Sequence, residues 1–553
     1  MRQAWPVPRG VIVLLALVTV LALTACDALV AVDANANVPP RYVRVLVTVE
    51  QVWFNQSATA VPEDETWEKV KLDDPVTLNL VALANGQSVR IIDDAKVPAA
   101  RYRQLRLLLA DTHGRLRDSA DDFDADHNNE VTWIDEDGDL RSAPLEVLGF
   151  DRGIGMPIDL KVMEAAVSIG GASADNNVVV RFDAARDLTE FRYDGDRGFL
   201  LNATLEASDV KDAGTIRGSL NLSRLSAPAT WYGRHDIQVT AQKVDKSAGR
   251  RVIVATASVN NNGGFMLYPL PIDEDERVTE YDLVIHGPEI QTIILRDVPV
   301  SEAGPGNAEM LLAGQLTLEP AQSFEANLSA AEPLAVPGAR VGFYQKVPGE
   351  NEPFLVGFAA VDPLSGRFVE PMRLSRAGTV LFGTYGSNLN LRTVTPEEGA
   401  GRFSVAAFSP HFAHGEFAAT TLRAPTSSSE VASFTVPAPG IPVSVTAGTV
   451  SATVAVETPE KYDRGVLIVA REGSLVTLAS LDGMLQQALG TTFIDLAPLP
   501  AGGAAAPNDR AYYYLEAWTW HSSDPEDTFV RHAGEAAVDL RNTDTASGSL
   551  TIR

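Results

Sequence analysis

The sequence predicts an all-β protein: tandem β-sandwich domains after an N-terminal signal segment. Three observations carry that expectation. Apolar and polar residues alternate over short runs, helical periodicity over twelve or more residues is rare, and the Gly and Pro residues (42 and 33) separate the runs rather than clustering. Alternation marks a half-buried strand because successive side chains of a pleated backbone point to opposite faces.

At the N-terminus, Arg2 and Arg9 accompany an uncharged apolar run, Val11 to Leu23. Its thirteen residues suit a secretory signal and are short for a bilayer span. Leu23-Thr24-Ala25-Cys26 follows directly and resembles the lipobox of bacterial lipoproteins. Small residues at Thr24 and Ala25 leave the backbone open to a peptidase, and the Cys26 thiol is the nucleophile that takes a diacylglyceryl group. Residues 1–25 are therefore expected to be removed and Cys26 lipidated. Cys26 is the only cysteine, so no disulfide can form within the chain. Each lipid methylene buried in a membrane contributes about 0.8 kcal/mol, and several chains on one residue make a lasting anchor. The expected location is the cell envelope, lipid-anchored to a bacterial membrane and facing periplasm or surface.

Removing residues 1–25 takes away two arginines and no acid, so the formal charge moves from −27 to −29. Such a polyanion repels nucleic acid and favours divalent cations. The stretch 26–40 is small and polar, ends in Pro39-Pro40, and is expected to be the lipidated cysteine and an extended tether.

Residues 41–210 form the next predicted unit. Tyr42 to Phe54 alternates, with Val43, Val45, Val47 and Val49 on one side. Thr66-Trp67-Glu68-Lys69-Val70, then Thr77 to Gly86 (TLNLVALANG), then Val97 to Leu107 (VPAARYRQLRL), resemble the domain of unknown function 4382 family. Ala100 stands where that family's phrase usually has glycine, and Val178 to Leu188 fits its closing strand. The resemblance implies a β domain common in lipoproteins and no established activity.

Internal repetition organises the remainder. Gln242-Lys243-Val244 and Phe265 recur 103 residues later as Gln345-Lys346-Val347 and Phe368 with their register kept. Pro269-Leu270-Pro271 recurs 229 residues later as Pro498-Leu499-Pro500. Each copy follows a Gly-led strand, at Gly214, Gly314 and Gly448. The order of runs resembles the carboxypeptidase-regulatory or transthyretin-like β-sandwich, most clearly over 213–305. The expected units are a sandwich at 213–311, a second at 312–423, a linker at 424–445 rich in Pro and Ser, and a C-terminal sandwich at 446–553. Three sandwiches in a row would project a distal domain on the order of 100 Å.

Three groups of residues are candidate sites. Asp118 to Asp139 holds ten carboxylates and no Lys or Arg. Within it Asp124, Asp126, Asn128, Glu130 (through its carbonyl) and Asp135 occupy positions 1, 3, 5, 7 and 12 of a calcium loop, with Asn129 where glycine normally turns the chain. Calcium is the one cofactor this spacing suggests, set against a solvated acidic loop. Trp518 and Trp520 share strand parity, a row that either stacks on sugar rings or packs inside a sandwich. His411, His414 and Glu416 offer zinc ligands, but the two histidines have opposite parity. No G-x-S-x-G, H-E-x-x-H or phosphate-binding loop is present in the sequence.

The expected function is non-catalytic binding, adhesion or scaffolding in the envelope, with the membrane as partner through Cys26, an envelope protein or glycan as a further partner, and no nucleic acid. Carbohydrate capture through Trp518 and Trp520 is the alternative, and a metal-dependent hydrolase a third reading.

Overall fold

The computed structural model describes residues 27–553 apart from 59, 85, 150–155, 160–166, 170–175, 194–195, 203–204, 229, 246–249, 273–277, 302–315, 330–337, 387–388, 409–418, 428–429, 437–445, 472–473, 503–510 and 524–529. Strands dominate it throughout, as the alternation predicts, and its helices are single short turns such as Asp118–Asp121 and Ala184–Asp187. Among the described residues no helix is long and apolar enough to cross a membrane.

The N-terminal unit is one twelve-stranded sheet curled about a single core. Its central strand, Tyr42–Asn55, pairs with Glu68–Asn79, Gln104–Leu109 and Glu130–Ile134. Val47, Leu107, Val131, Phe182 and Phe199 come from strands scattered along the sheet and meet in that core. The alternation groups Val43 on one side with Val45, Val47 and Val49. Val43 is 43% exposed, because the register shifts between Tyr42 and Arg44 where this strand meets Glu130–Ile134.

The expected tether is corrected. Asp27–Asn37 is a strand, parallel to Asn177–Asp183 and antiparallel to Ser88–Pro98. Ala28, Val30, Val32, Ala34 and Ala36 alternate and are all buried. Their small size lowers the hydrophobic signal, yet two open strand edges on either side give their backbone groups partners.

The 103-residue repeat corresponds to two hairpins, Gln238–Asp245 with Arg250–Ser258 and Arg340–Gln345 with Phe354–Ala360. The turn before Gly264–Pro271 needs its glycine: Gly263 has φ +84°, and a Cβ there would lie 2.0 Å from the Leu220 carbonyl oxygen. The 229-residue repeat also has a structural counterpart. The Tyr281 hydroxyl donates to the Pro271 carbonyl, and the Tyr513 hydroxyl donates to the Pro500 carbonyl at 2.6 Å.

The second and third units are not separate sandwiches. Val380–Thr384 of the third joins Ile293–Ser301 of the second in parallel, making one six-stranded sheet. Ile293 and Leu295 on that edge face the second unit's core, whereas Val284 and Ile294 face the third unit's core with Phe343 and Phe382. A middle sheet apolar on both faces serves two cores, which explains why its strands read as continuous apolar runs. The expected linker at 424–445 is also corrected in part. Ala432–Phe434 is a strand parallel to Ser323–Leu328, and Phe434 packs edge-on to Phe343 with ring centroids 5.8 Å apart.

The C-terminal unit sandwiches Val450, Leu467, Tyr513 and Ile552 between two sheets. It does not stand at the end of a row. The N-terminal unit touches all three others: the Ser258 amide donates to Asn37 Oδ1 at 3.0 Å, Arg340 pairs with Asp187 at 2.8 Å, and Arg531 pairs with Glu146 at 3.2 Å. The expected projecting row is thus replaced by units packed around the first. Strand patterning marks which face of a strand is apolar and leaves open what covers the other face.

Candidate functional site

A cleft of about 550 Å³ opens where the first three units meet. The strand Asp27–Asn37 delivers Pro39, Pro40 and Arg41 to one wall, and Leu188–Tyr193 and Asp196–Leu201 add Glu190 and Arg197. Across from these, the loop before Gln238–Asp245 contributes Trp231, Tyr232 and Asp236, and His286 closes the Val278–His286 strand. The third unit supplies Glu370 and Arg373. Gly287 allows the close approach of loop and strand, since a Cβ there would lie 2.6 Å from the Asp236 carbonyl oxygen.

Most of the charges in the cleft are matched. Arg41 pairs with Glu190 at 2.7 Å, and Arg197 lies 3.8 Å from Glu190 and bonds Glu370 directly. The Tyr42 hydroxyl also donates to Glu190. Burial pushes the Glu190 carboxyl upward, but Arg41 and Arg197 outweigh it and hold the group below the usual carboxylate range. Arg373 pairs with Glu289 at 2.9 Å.

Glu136, Asp236 and Glu325 line the cleft without an ion pair among the described residues, and His286 is a further polar group of the lining. Burial raises the Asp236 carboxyl, with Arg41 and Arg373 opposing from farther off. His286 is pushed down to about 4 by burial, so it is neutral at physiological pH, and its Nε2 is buried without a partner. At the same cleft Trp231 is 38% exposed and meets Tyr232 edge-on, ring centroids 4.9 Å apart.

The residues singled out from sequence are elsewhere. Cys26, and the trio His411, His414 and Glu416, lie outside the described residues. The calcium-loop residues are described, and the wrapped loop expected of them is not formed. The positive φ falls on Asp124 (50°), at position 1 rather than position 6. Asn129 turns inward, accepting from the Thr48 amide at 3.0 Å and donating to the Ala110 carbonyl at 2.8 Å. The Asn128 side chain accepts from the Arg117 amide and donates to the Asp111 carbonyl. Glu130 is buried in an ion pair with Arg44 at 2.7 Å and accepts from the Asp126 amide, while Asp135 pairs with Arg141 at 2.9 Å. These amides and carboxylates clamp the acidic segment onto the sheet. Among the described residues no group of three or more His, Cys, Asp or Glu is arranged to hold a metal ion.

Trp518 and Trp520 do share one face, but it is neither an open row nor the sandwich interior. Both are buried in a cluster with Leu148, Phe191 and Leu200, so the N-terminal unit covers them. Both readings of the row, sugar-stacking face and sandwich interior, are thereby corrected: it packs against a neighbouring unit. Trp518 Nε1 donates to Glu516 at 2.6 Å, and Phe191 lies 5.8 Å from the Trp518 ring.

Sequence reasoning did not single out Trp231, Asp236 or His286. Asp236 lies in the loop before one strand of the second unit and His286 at the end of another, where a lone acid and a lone histidine form no motif. Only the packing of three units brings them to one cleft.

Comparison with known proteins finds the family whose phrases the N-terminal unit resembles. Residues 29–203 match the family model described as Domain of unknown function (DUF4382). No curated protein matches the chain. Among solved structures, the Bacillus anthracis TIE protein is 8% identical, covering 93% of this chain and 68% of its own at a TM-score of 0.17. A streptococcal ancillary pilin is 10% identical, covering 61% and 98% at 0.14. The pilus adhesin SpaC of Lactobacillus rhamnosus GG is 9% identical, covering 82% and 55% at 0.13.

Proposed function

We propose that this chain is a lipid-anchored protein of the bacterial cell envelope that works by binding or scaffolding rather than by catalysis. The observation that carries the reading is the joining of all units to the N-terminal one, through Arg340 to Asp187, Arg531 to Glu146, and Trp518 against Phe191. These buried charges and rings are spent on holding units together, and the joint leaves a recess open between three of them. A rigid platform with a recess suits capture or assembly.

The anchor rests on Leu23-Thr24-Ala25-Cys26 and the apolar run before it. Because a strand begins at Asp27, directly after Cys26, lipid on that cysteine would hold the N-terminal sheet against the bilayer surface with no spacer between. The test is metabolic labelling with an alkyne fatty acid in a bacterium that expresses the full chain. Wild type is expected to carry label and to partition with membranes, and Cys26→Ser to lose both. Unlabelled wild-type protein would overturn the anchor.

A further inference from the structure

We infer that the cleft between the first three units is a binding site for a neutral saccharide, which stacks on Trp231 and hydrogen-bonds Asp236 and His286. This rests on the reading of the chain as a binding protein and adds the ligand's chemistry to it.

Four observations support the assignment. First, the His286 side chain is 7% exposed, lines the cleft, and keeps its Nε2 without a protein partner. Native interiors pair nearly all such atoms, so an unpaired one on a cavity wall marks a position where the occupant supplies the bond. Second, Asp236 faces the same space with no donor on its carboxylate. The nearest guanidiniums are committed elsewhere, Arg41 to Glu190 at 2.7 Å and Arg373 to Glu289 at 2.9 Å. Third, Trp231 is one of the few large apolar side chains left exposed among the described residues, and it meets Tyr232 edge-on. Stacking on an indole needs an apolar face, which the C–H groups of a pyranose ring supply.

Fourth, the charge pattern favours a neutral ligand. Each cleft guanidinium already has a carboxylate, and acids outnumber arginines in the lining, so an anion finds no free cation. Of the lining carboxylates, Glu190 and Glu370 are paired with Arg41 and Arg197, and burial disfavours the charged form of Asp236, so the spermidine arm of the experiment separates a cation from a hydroxyl-rich ligand. Hydroxyl groups both donate and accept, matching a carboxylate that accepts and an imidazole with one nitrogen of each kind. The volume, about 550 Å³, lies within the roughly 300–1,000 Å³ typical of small-ligand clefts and suits a short oligosaccharide segment.

The experiment is titration calorimetry on the full chain bearing Cys26→Ser, with chito-, cello-, malto- and xylotetraose as probes and spermidine as the cationic control. At least one tetraose is expected to bind. Trp231→Ala and Asp236→Asn should each weaken it at least tenfold while circular dichroism and melting temperature stay at the parent values. Heat with none of the sugars at millimolar concentration would overturn the inference, as would binding unchanged by Trp231→Ala, or heat with spermidine alone. Because Trp231 is exposed, its alanine variant keeps the fold. Labelling of Cys26 is scored separately, so a labelled protein that binds no sugar counts against the ligand and leaves the envelope reading standing.

Discussion

Arg340 shows how single residues set this architecture. It is nearly fully buried, donating to Asp187 at 2.8 Å, to the Arg186 carbonyl at 2.7 Å and to the Asn202 carbonyl at 2.5 Å. Removing one partner of a buried charge pair costs about 3–5 kcal/mol, mostly because the other charge stays behind. Asp187 keeps a second partner in Arg186, so Arg340→Ala should fall at the lower end, about 3 kcal/mol. The reading is the midpoint of urea unfolding of the full chain, and an unchanged midpoint would mean the contact is not made in solution. At this scale the sequence was partly legible. The shared parity of Trp518 and Trp520 follows from strand geometry, whereas their cover, Phe191 and Leu148, lies more than 300 residues away and leaves no local trace. The acidic segment was ambiguous for a different reason: a calcium loop and a polar clamp use the same residue types, and the bonds of the Asn129 side chain to Thr48 and Ala110 become visible only in the fold.

Among the elements, the Ile293–Ser301 strand decides where a unit ends. Val284 and Ile294 lie on the outer face of the second unit's sheet and belong to the third unit's core. Cutting the chain between these units would expose that face and a free strand edge, both of which promote aggregation. A fragment covering 213–311 is therefore expected to be insoluble or oligomeric, and one covering 213–436 soluble and cooperatively folded. A monomeric 213–311 fragment on size-exclusion chromatography would contradict the shared sheet. The repeat register was legible because hairpins keep their spacing: the 103-residue offset matches paired strands, and the prolines at the 229-residue offset, Pro271 and Pro500, each accept from a tyrosine hydroxyl. The Asp27–Asn37 strand was not, since alanine and asparagine carry little strand propensity and tertiary pairing overrides it.

For the whole molecule, the central claim is that the units pack around the N-terminal one instead of extending in a row. Composition and alternation fix the all-β class but are silent on this, because an extended and a folded-back chain share every strand pattern. The packed arrangement creates the cleft, buries Trp518, and turns an anchored stalk into an anchored platform. Small-angle scattering on the full chain with Cys26→Ser tests it most directly. A compact chain of this length has a radius of gyration of about 24 Å by the usual scaling, and the packed units should fall within a few ångströms of that with a single-peaked distance distribution. A radius well above about 30 Å, with a maximum dimension beyond the order of 100 Å expected of a row, would contradict it.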